Sequence, residues 1–193
     1  KRQDELMDEA VKRAREDTRQ RRPELGDDAV EAIANAVGLG AVRYNIIRVQ
    51  PEKSMIFRWE EALTFDGASA PFIQYSHTRA CSILRKAEED GDPVRETDLT
   101  EVGNLLTHEA ELTLIRHLAR LPLTIHHCAE ERKVHTIASY ANGLASAFNA
   151  FYRDVPVLKA GDLRQPRLQL VLATRIALAN ALDVLGIEAP EQM

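Results

Sequence analysis

Asp66-Gly-Ala-Ser-Ala-Pro-Phe-Ile-Gln-Tyr-Ser-His-Thr-Arg-Ala-Cys-Ser-Ile-Leu84 holds the residues of this chain whose types and spacing suit chemistry best. On a helix, Phe72, Tyr75 or Ser76, and Arg79 recur at three- and four-residue steps and share one side. An aromatic ring beside a guanidinium can stack an unpaired base and hold its phosphate. The plainer reading packs Phe72 and Tyr75 into a core and leaves Arg79 solvated. Tyr152, at a predicted helix end beside Arg153, offers a second ring for a splayed base, or a core-edge tyrosine with a wet hydroxyl. Arg79, Arg85, Lys86, Arg116, Arg120, Arg132, Lys133, Arg153, Arg164 and Arg167 could each meet phosphate, but only as a cluster on one face.

Other chemistries find less support. His126, His127, Cys128 and His135, with Glu130 and Glu131, carry zinc-binding atoms, yet their spacing matches neither a zincin helix nor a finger pair. No nucleophile-elbow pattern and no phosphate-binding glycine loop accompanies them. A metal-dependent hydrolase is therefore a remote alternative to a binding module.

The elements that must position these residues read as helices. Hydrophobic residues make up 45% of the 193 and aromatics only 5%, a balance that favours helices over β-sandwiches. No apolar run is long enough to span a membrane, no signal peptide is visible at Lys1-Arg2-Gln3-Asp4-Glu5, and two cysteines suit a reducing cytoplasm. The net charge of −5 argues against nucleic acid only globally. Nine acidic residues face two basic ones from Lys86 to Glu111, whereas Leu112 to Arg175 holds nine basic and four acidic, leaving a positive half for phosphates.

In order along the chain, residues 1–22 form a charged helix, acids first and bases last, with a thin stripe of Leu6, Ala10, Val11 and Ala14. It starts mid-pattern without a Met, as a fragment would. Asp27 or Asp28 caps a second helix, which Gly38 and Gly40 are expected to break. Val42 to Val49 is an apolar run that suits helix or strand, helix being preferred because Ala41 continues the preceding pattern, until Pro51. Ser54–Phe57 is an extended link and Trp59–Phe65 a helical turn or two. A turn cluster at 66–71 precedes a helix from Pro71 to about Glu89, ended by Gly91, Asp92 and Pro93. Thr107 is a fair cap for a helix over 108–120; further helices run from Pro122 to Ala129 and from Lys133 to Tyr152. Ile137, Tyr140, Ala141, Leu144, Phe148 and Phe151 point inward on the latter.

Asp162 then caps a last helix entered at Pro166, whose Leu170, Val171, Thr174, Ala177, Leu178, Ala181, Leu182 and Leu185 share one face. Gly186 and Ile187 suit a Schellman ending, and Pro190 forbids a restart. Arg175, inside this apolar helix, could pair with Asp183 or meet RNA. The fold class is all-α, a helical bundle, with residues 91–98 as the compositional boundary candidate.

Two separated stretches carry a resemblance. Ala173-Thr174-Arg175, Asn180-Ala181-Leu182, Leu185-Gly186-Ile187, Pro190 and Met193 are similar to the end of arginyl-tRNA synthetases, the helical anticodon-binding domain called DALR. Gly67-x-Ser69-x-Pro71-Phe72-x-Gln74-Tyr75-x-His77-x-Arg79 resembles the segment that follows the class I catalytic domain there. Val42-Arg43-Tyr44 and Asp154, Pro156, Val157 and Leu158 fit the same family. The resemblance implies a DALR-type bundle over 66–193 and an N-terminal helical connector over 1–65. It implies that Phe72, Tyr75, Tyr152 and Met193 face the anticodon loop of arginine tRNA, with Arg79 and Arg153 beside them.

The family's usual residue at Phe72 is tyrosine; phenylalanine keeps the stacking face and has no hydroxyl to hydrogen-bond. The His-Ile-Gly-His and Lys-Met-Ser-Lys signatures of class I catalysis are not in these 193 residues. No catalytic residue and no cofactor is therefore expected here. ATP and Mg2+ are expected for a parent arginine–tRNA ligase, together with its own catalytic domain as partner, a monomeric state, no membrane association and a cytoplasmic location. A helical protein-interaction module without RNA, or the bundle of the cysteinyl enzyme, are the alternatives; Gln74-Tyr75 favours arginine.

Overall fold

The computed structural model describes residues 3–50, 52–95 and 103–193. Among them there are only helices, turns and connecting chain, the all-α bundle expected. Pro51, and residues 96–98 of the compositional boundary, lie outside the described residues.

α1 (Gln3–Arg21) opens with Asp4 and Glu5 and closes with Arg19 and Arg21, which complements the helix dipole. Glu9–Arg13 and Asp17–Arg21 pair one turn apart at 2.6 and 2.8 Å. Its narrow stripe, Ala10 and Ala14, is buried against α2 (Asp27–Ile47). α2 runs straight through Gly38 and Gly40, where a break was expected. Gly38 is the point of closest approach: a Cβ there would lie 2.7 Å from the Val11 backbone. Gly40 leaves room for the Gln74 amide, 3.1 Å from where its Cβ would be. The helix-propensity penalty of glycine is accepted because a side chain would force the neighbours apart. α2 is entered from Gly26 without a side-chain cap, so neither Asp27 nor Asp28 is the cap; both sit in the first turn, where their charge suits the dipole.

After the extended link and the short α3 (Trp59–Ala62), Ser69 caps α4 (Ala70–Glu89). Its Oγ accepts the Phe72 N–H at 3.2 Å and donates to the Thr64 carbonyl at 2.5 Å. α5 (Glu109–Ala119) is capped by His108 rather than Thr107. The His108 imidazole accepts the Ala110 N–H at 3.2 Å while the Glu111 carboxylate accepts the His108 N–H at 2.8 Å. α6 (Leu121–Glu131), α7 (His135–Asp154) and α8 (Arg164–Val184) complete the bundle. α8 is entered from a 3-10 turn at Gly161–Leu163, so Asp162 is not its cap. All eight apolar-face residues expected of α8 are buried, and so are the six expected of α7. The Gly186 N–H reaches the Asp183 carbonyl and the Ile187 N–H the Leu182 carbonyl, both at 2.8 Å, with Gly186 at φ +65°. These are the two bonds of a Schellman ending.

α4, α5, α7 and α8 surround one core, built on Ile73, Leu114, Leu144, Phe148, Leu168 and Leu178. Tyr44 of α2 enters it, 1% exposed, with its hydroxyl 3.4 Å from the Ala138 carbonyl. Burial pushes the Tyr44 phenol up to about 12. Arg167 and Glu111 form a buried ion pair at 2.7 Å, and Arg164 holds Asp90 and Asp92 at 3.1 and 3.0 Å, so two candidate phosphate ligands are structural.

The tail after α8 crosses back over α4. Gln74 Nε2 donates to the carbonyls of Ala36 and Glu188, each at 2.9 Å. The His77 ring Nδ1–H and the Thr78 hydroxyl both donate to the Pro190 carbonyl at 2.9 Å. Arg43 donates to the Gly186 carbonyl, and Arg22 of the α1–α2 hairpin to a main-chain oxygen of Met193. One strap thus ties hairpin, α4 and α8 together.

Candidate nucleic-acid interface

α4 presents Tyr75 and Arg79 one turn apart on its outer side, as an i, i+4 pair must. α7 brings Tyr152 to the same place. The Arg79 guanidinium carbon lies 4.8 Å from the Tyr75 ring centroid and 4.7 Å from that of Tyr152. Both separations are within cation–π range, so the cation sits between two rings from different helices. The rings remain wet: Tyr75 is 40% and Tyr152 46% exposed. Arg79 also donates to Asn149 Oδ1, and Asn149 Nδ2 donates to Ser76 Oγ at 3.0 Å.

The stack continues toward the N-terminal hairpin. Phe65 meets Tyr75 edge-on, centroids 6.0 Å apart at 89°, and the Arg21 guanidinium covers Phe65 at 4.9 Å. Arg21, Phe65, Tyr75, Arg79 and Tyr152 therefore form a continuous series of cations and rings. It borders two adjoining clefts. The larger, about 740 Å³, lies between α1 and α4 and includes Arg21, Arg22, Phe65, Phe72 and Met193. The smaller, about 540 Å³, is lined by Arg85, Tyr152, Gln192 and again Arg22, Tyr75, Arg79 and Met193.

Of the six residues singled out in the sequence, five meet here. Phe72 is half-buried, with one side packed on the core and the other lining the larger cleft. Met193 packs against the small Ala14–Ala34–Val37 cluster between α1 and α2 while lining both clefts. Arg153 stands apart: it is exposed and paired with Asp154 at 2.7 and 2.9 Å, which lowers the Asp154 carboxyl below its usual range. Arg175 makes no ion pair with Asp183 among the described residues. Arg21, Arg22, Phe65 and Asn149 were not legible as site residues. The first two belong to a stretch that reads as solvated charge, and their place is decided by the packing of α1 on α2 and of α2 against α4.

The arrangement can hold unpaired bases on its exposed rings and phosphates on its arginines, whose charge is partly offset by Asp17 and Asp66 at the larger cleft. Among the described residues, no three His, Cys, Asp or Glu side chains gather as a metal site, and His126 instead pairs with Glu130 at 3.2 Å. Nor, among the described residues, is any helix long and apolar enough to cross a membrane.

The sequence profile of the DALR anticodon binding domain matches residues 73–193. The chain belongs to the DALR anticodon binding domain family. This DALR chain is 49% identical over 193 residues to an arginine–tRNA ligase of Thermococcus kodakarensis, covering 98% of the chain and 30% of that protein. It is 50% identical over 194 residues to that of Methanosarcina mazei, covering 98% and 33%. It spans about a third of the length of the curated relatives it matches. Among solved structures, Thermus thermophilus arginyl-tRNA synthetase superposes with a TM-score of 0.87 at 38% identity, over 98% of this chain and 32% of that one. The Plasmodium falciparum synthetase shares the fold, with a TM-score of 0.82 at 23% identity over 100% and 34%. The cleft between α1 and α4 is composite, since its α1 wall and Phe65 precede the residues the DALR profile covers.

Proposed function

We propose that this DALR chain is the tRNA-binding region of an arginine–tRNA ligase, recognising the anticodon loop and the adjacent stem of arginine tRNA. The observation that carries the reading is Arg79 seated between the exposed rings of Tyr75 and Tyr152, beside clefts bearing Arg21, Arg22 and Arg85. Loop bases stack on such rings, and the guanidinium groups neutralise phosphates that the stacked bases bring close. Met193 and Phe72 supply apolar wall, and Arg153 lies outside the clefts, where it can meet only flanking backbone.

In the longer enzyme this binding would serve ATP- and Mg2+-dependent joining of arginine to its tRNA. Neither group is placed on this chain, whose described residues gather no metal-sized donor set. Residues 1–65 act as connector in this reading, with α1 doubling as a cleft wall. The test is filter binding of the chain to arginine tRNA and to a transcript with an altered anticodon. Preference for the first supports the reading. Equal, weak binding of both, or none, returns the chain to the role of a helical protein-interaction module.

A further inference from the structure

Arg79 is a long side chain on a wet surface, where a single ring contact is weak and a guanidinium has many competing positions. What selects one position is its charge-assisted hydrogen bond to Asn149 Oδ1. The Asn149 amide is itself oriented. Its Nδ2 donates to Ser76 Oγ at 3.0 Å, and the Ser76 hydroxyl proton is committed to the Phe72 carbonyl at 2.9 Å. Ser76 can therefore only accept from Asn149, and Arg79 can only donate to it. The amide has one orientation that satisfies both neighbours, nitrogen to Ser76 and oxygen to Arg79. The relay runs Arg79 to Asn149 to Ser76 to the Phe72 backbone, crossing from α4 to α7 and back. Asn149 stands three residues before Tyr152 on α7, so the bond that catches Arg79 also brings it beneath that ring.

We infer that Asn149 is a positioning residue, which seats the Arg79 guanidinium between Tyr75 and Tyr152 and thereby locks two base-stacking rings from different helices into one platform. The RNA half of this inference rests on the function proposed above. Without the amide, Arg79 swings toward solvent or toward a carboxylate, and the two rings lose their common spacer.

The experiment uses the full 193-residue chain with Asn149→Ala, Asn149→Asp and Ser76→Ala, read by NMR of the Arg79 side chain and by dissociation from a hairpin RNA carrying an arginine anticodon. In the unaltered chain the Arg79 side-chain protons resonate upfield, because they lie over two ring faces. Asn149→Ala abolishes that shift and weakens the hairpin about tenfold, the loss expected of one charge-assisted hydrogen bond, while the melting transition stays cooperative. Asn149→Asp keeps the acceptor and restores the shift, which a role in packing alone would not predict. Ser76→Ala, which frees the amide to rotate, reduces the shift partially. An Asn149→Ala chain that retains the upfield Arg79 resonances overturns the seating role, whereas loss of the shift without loss of hairpin affinity keeps the seat and overturns the shared platform. If Asn149→Ala does not fold, the comparison of Asn149→Asp with Ser76→Ala decides the same point. An unaltered chain that shows the shift but ignores the hairpin keeps the seat and overturns the functional reading.

Discussion

Single side chains carry separable duties in this bundle. Tyr75 and Tyr152 expose ring faces, and removing either as Ala should weaken RNA binding by roughly 1–3 kcal/mol, the usual worth of one base on one ring, with little change in melting temperature. Direct titration of each variant with the anticodon hairpin checks this; unaltered affinity in both would leave the rings without a role in binding. Arg167 and Glu111 have the opposite character. Their ion pair is 2.7 Å long, with the side chains 10% and 1% exposed, and lies away from the clefts. Arg167→Ala leaves a buried carboxylate uncompensated and should destabilise the fold by about 3–5 kcal/mol. Arg167→Met with Glu111→Leu should recover only part of that loss, because it also removes the α5 cap bond to the His108 N–H and the Arg167 bond to the Pro156 carbonyl. Denaturant melts of the single and double variants measure the difference. The sequence presented both Arg79 and Arg167 as possible phosphate ligands, since an arginine looks the same whether its partner is a nucleic acid or a buried glutamate.

Among the helices, the α1–α2 hairpin is held by small residues rather than large ones. Gly38 marks where α2 meets the Val11 backbone, and a methyl group placed 2.7 Å from that backbone must push the helices apart. Gly38→Ala should therefore lower stability by about 1–3 kcal/mol, even though alanine favours an isolated helix by about 1 kcal/mol. A thermal melt gives the sign, and stabilisation would mean that the hairpin is looser than its packing indicates. The periodicity of α2 was readable on both sides of Gly38, but a glycine that stops a helix and one that admits a neighbour look identical in one chain. Caps behaved similarly. Ser69 was inside the expected turn cluster and does cap α4, whereas His108 displaced Thr107 because Glu111 completes a reciprocal pair with it.

Across the molecule, the tail from Ile187 to Met193 joins α4, α8 and the hairpin, and the buried His77 sits within that junction. Burial lowers the His77 imidazole below its ordinary value of 6.5, the Pro190 carbonyl partly opposes this, and Arg175 and Glu191 act in opposite directions. Because the unfolded chain binds the proton more readily, this stability is fully present above about pH 6.5 and is lost as the pH falls below it. His117, lowered by burial and by Arg120, adds to the loss with the same sign. Melts across this range for the unaltered chain and His77→Gln test it, and the substituted chain should show a shallower decline. Binding should also respond to salt. With Arg21, Arg22 and Arg85 on phosphates, log affinity should fall with log salt at a slope of about −2, and Arg85→Gln should reduce that by about 0.7. A slope near zero would separate the clefts from any polyanion.

Local pattern was enough to establish that the elements are helices, though not where α2 ends or which residues cap, and to establish the buried faces of α7 and α8, the Schellman ending and the family. Each of those follows from periodicity, from glycine at positive φ, or from motifs read in order. Phe72, Tyr75, Arg79 and Tyr152 stood out for the same reason, because aromatic and cationic residues at helical spacing are visible without coordinates. Only the packed bundle establishes that Arg79 bridges two rings, that the α1–α2 hairpin supplies a wall with Arg21 and Arg22, and that Arg153 turns to Asp154 outside the clefts. These depend on how separate helices dock. Docking is set by the sum of many weak contacts across the core, which no local pattern records.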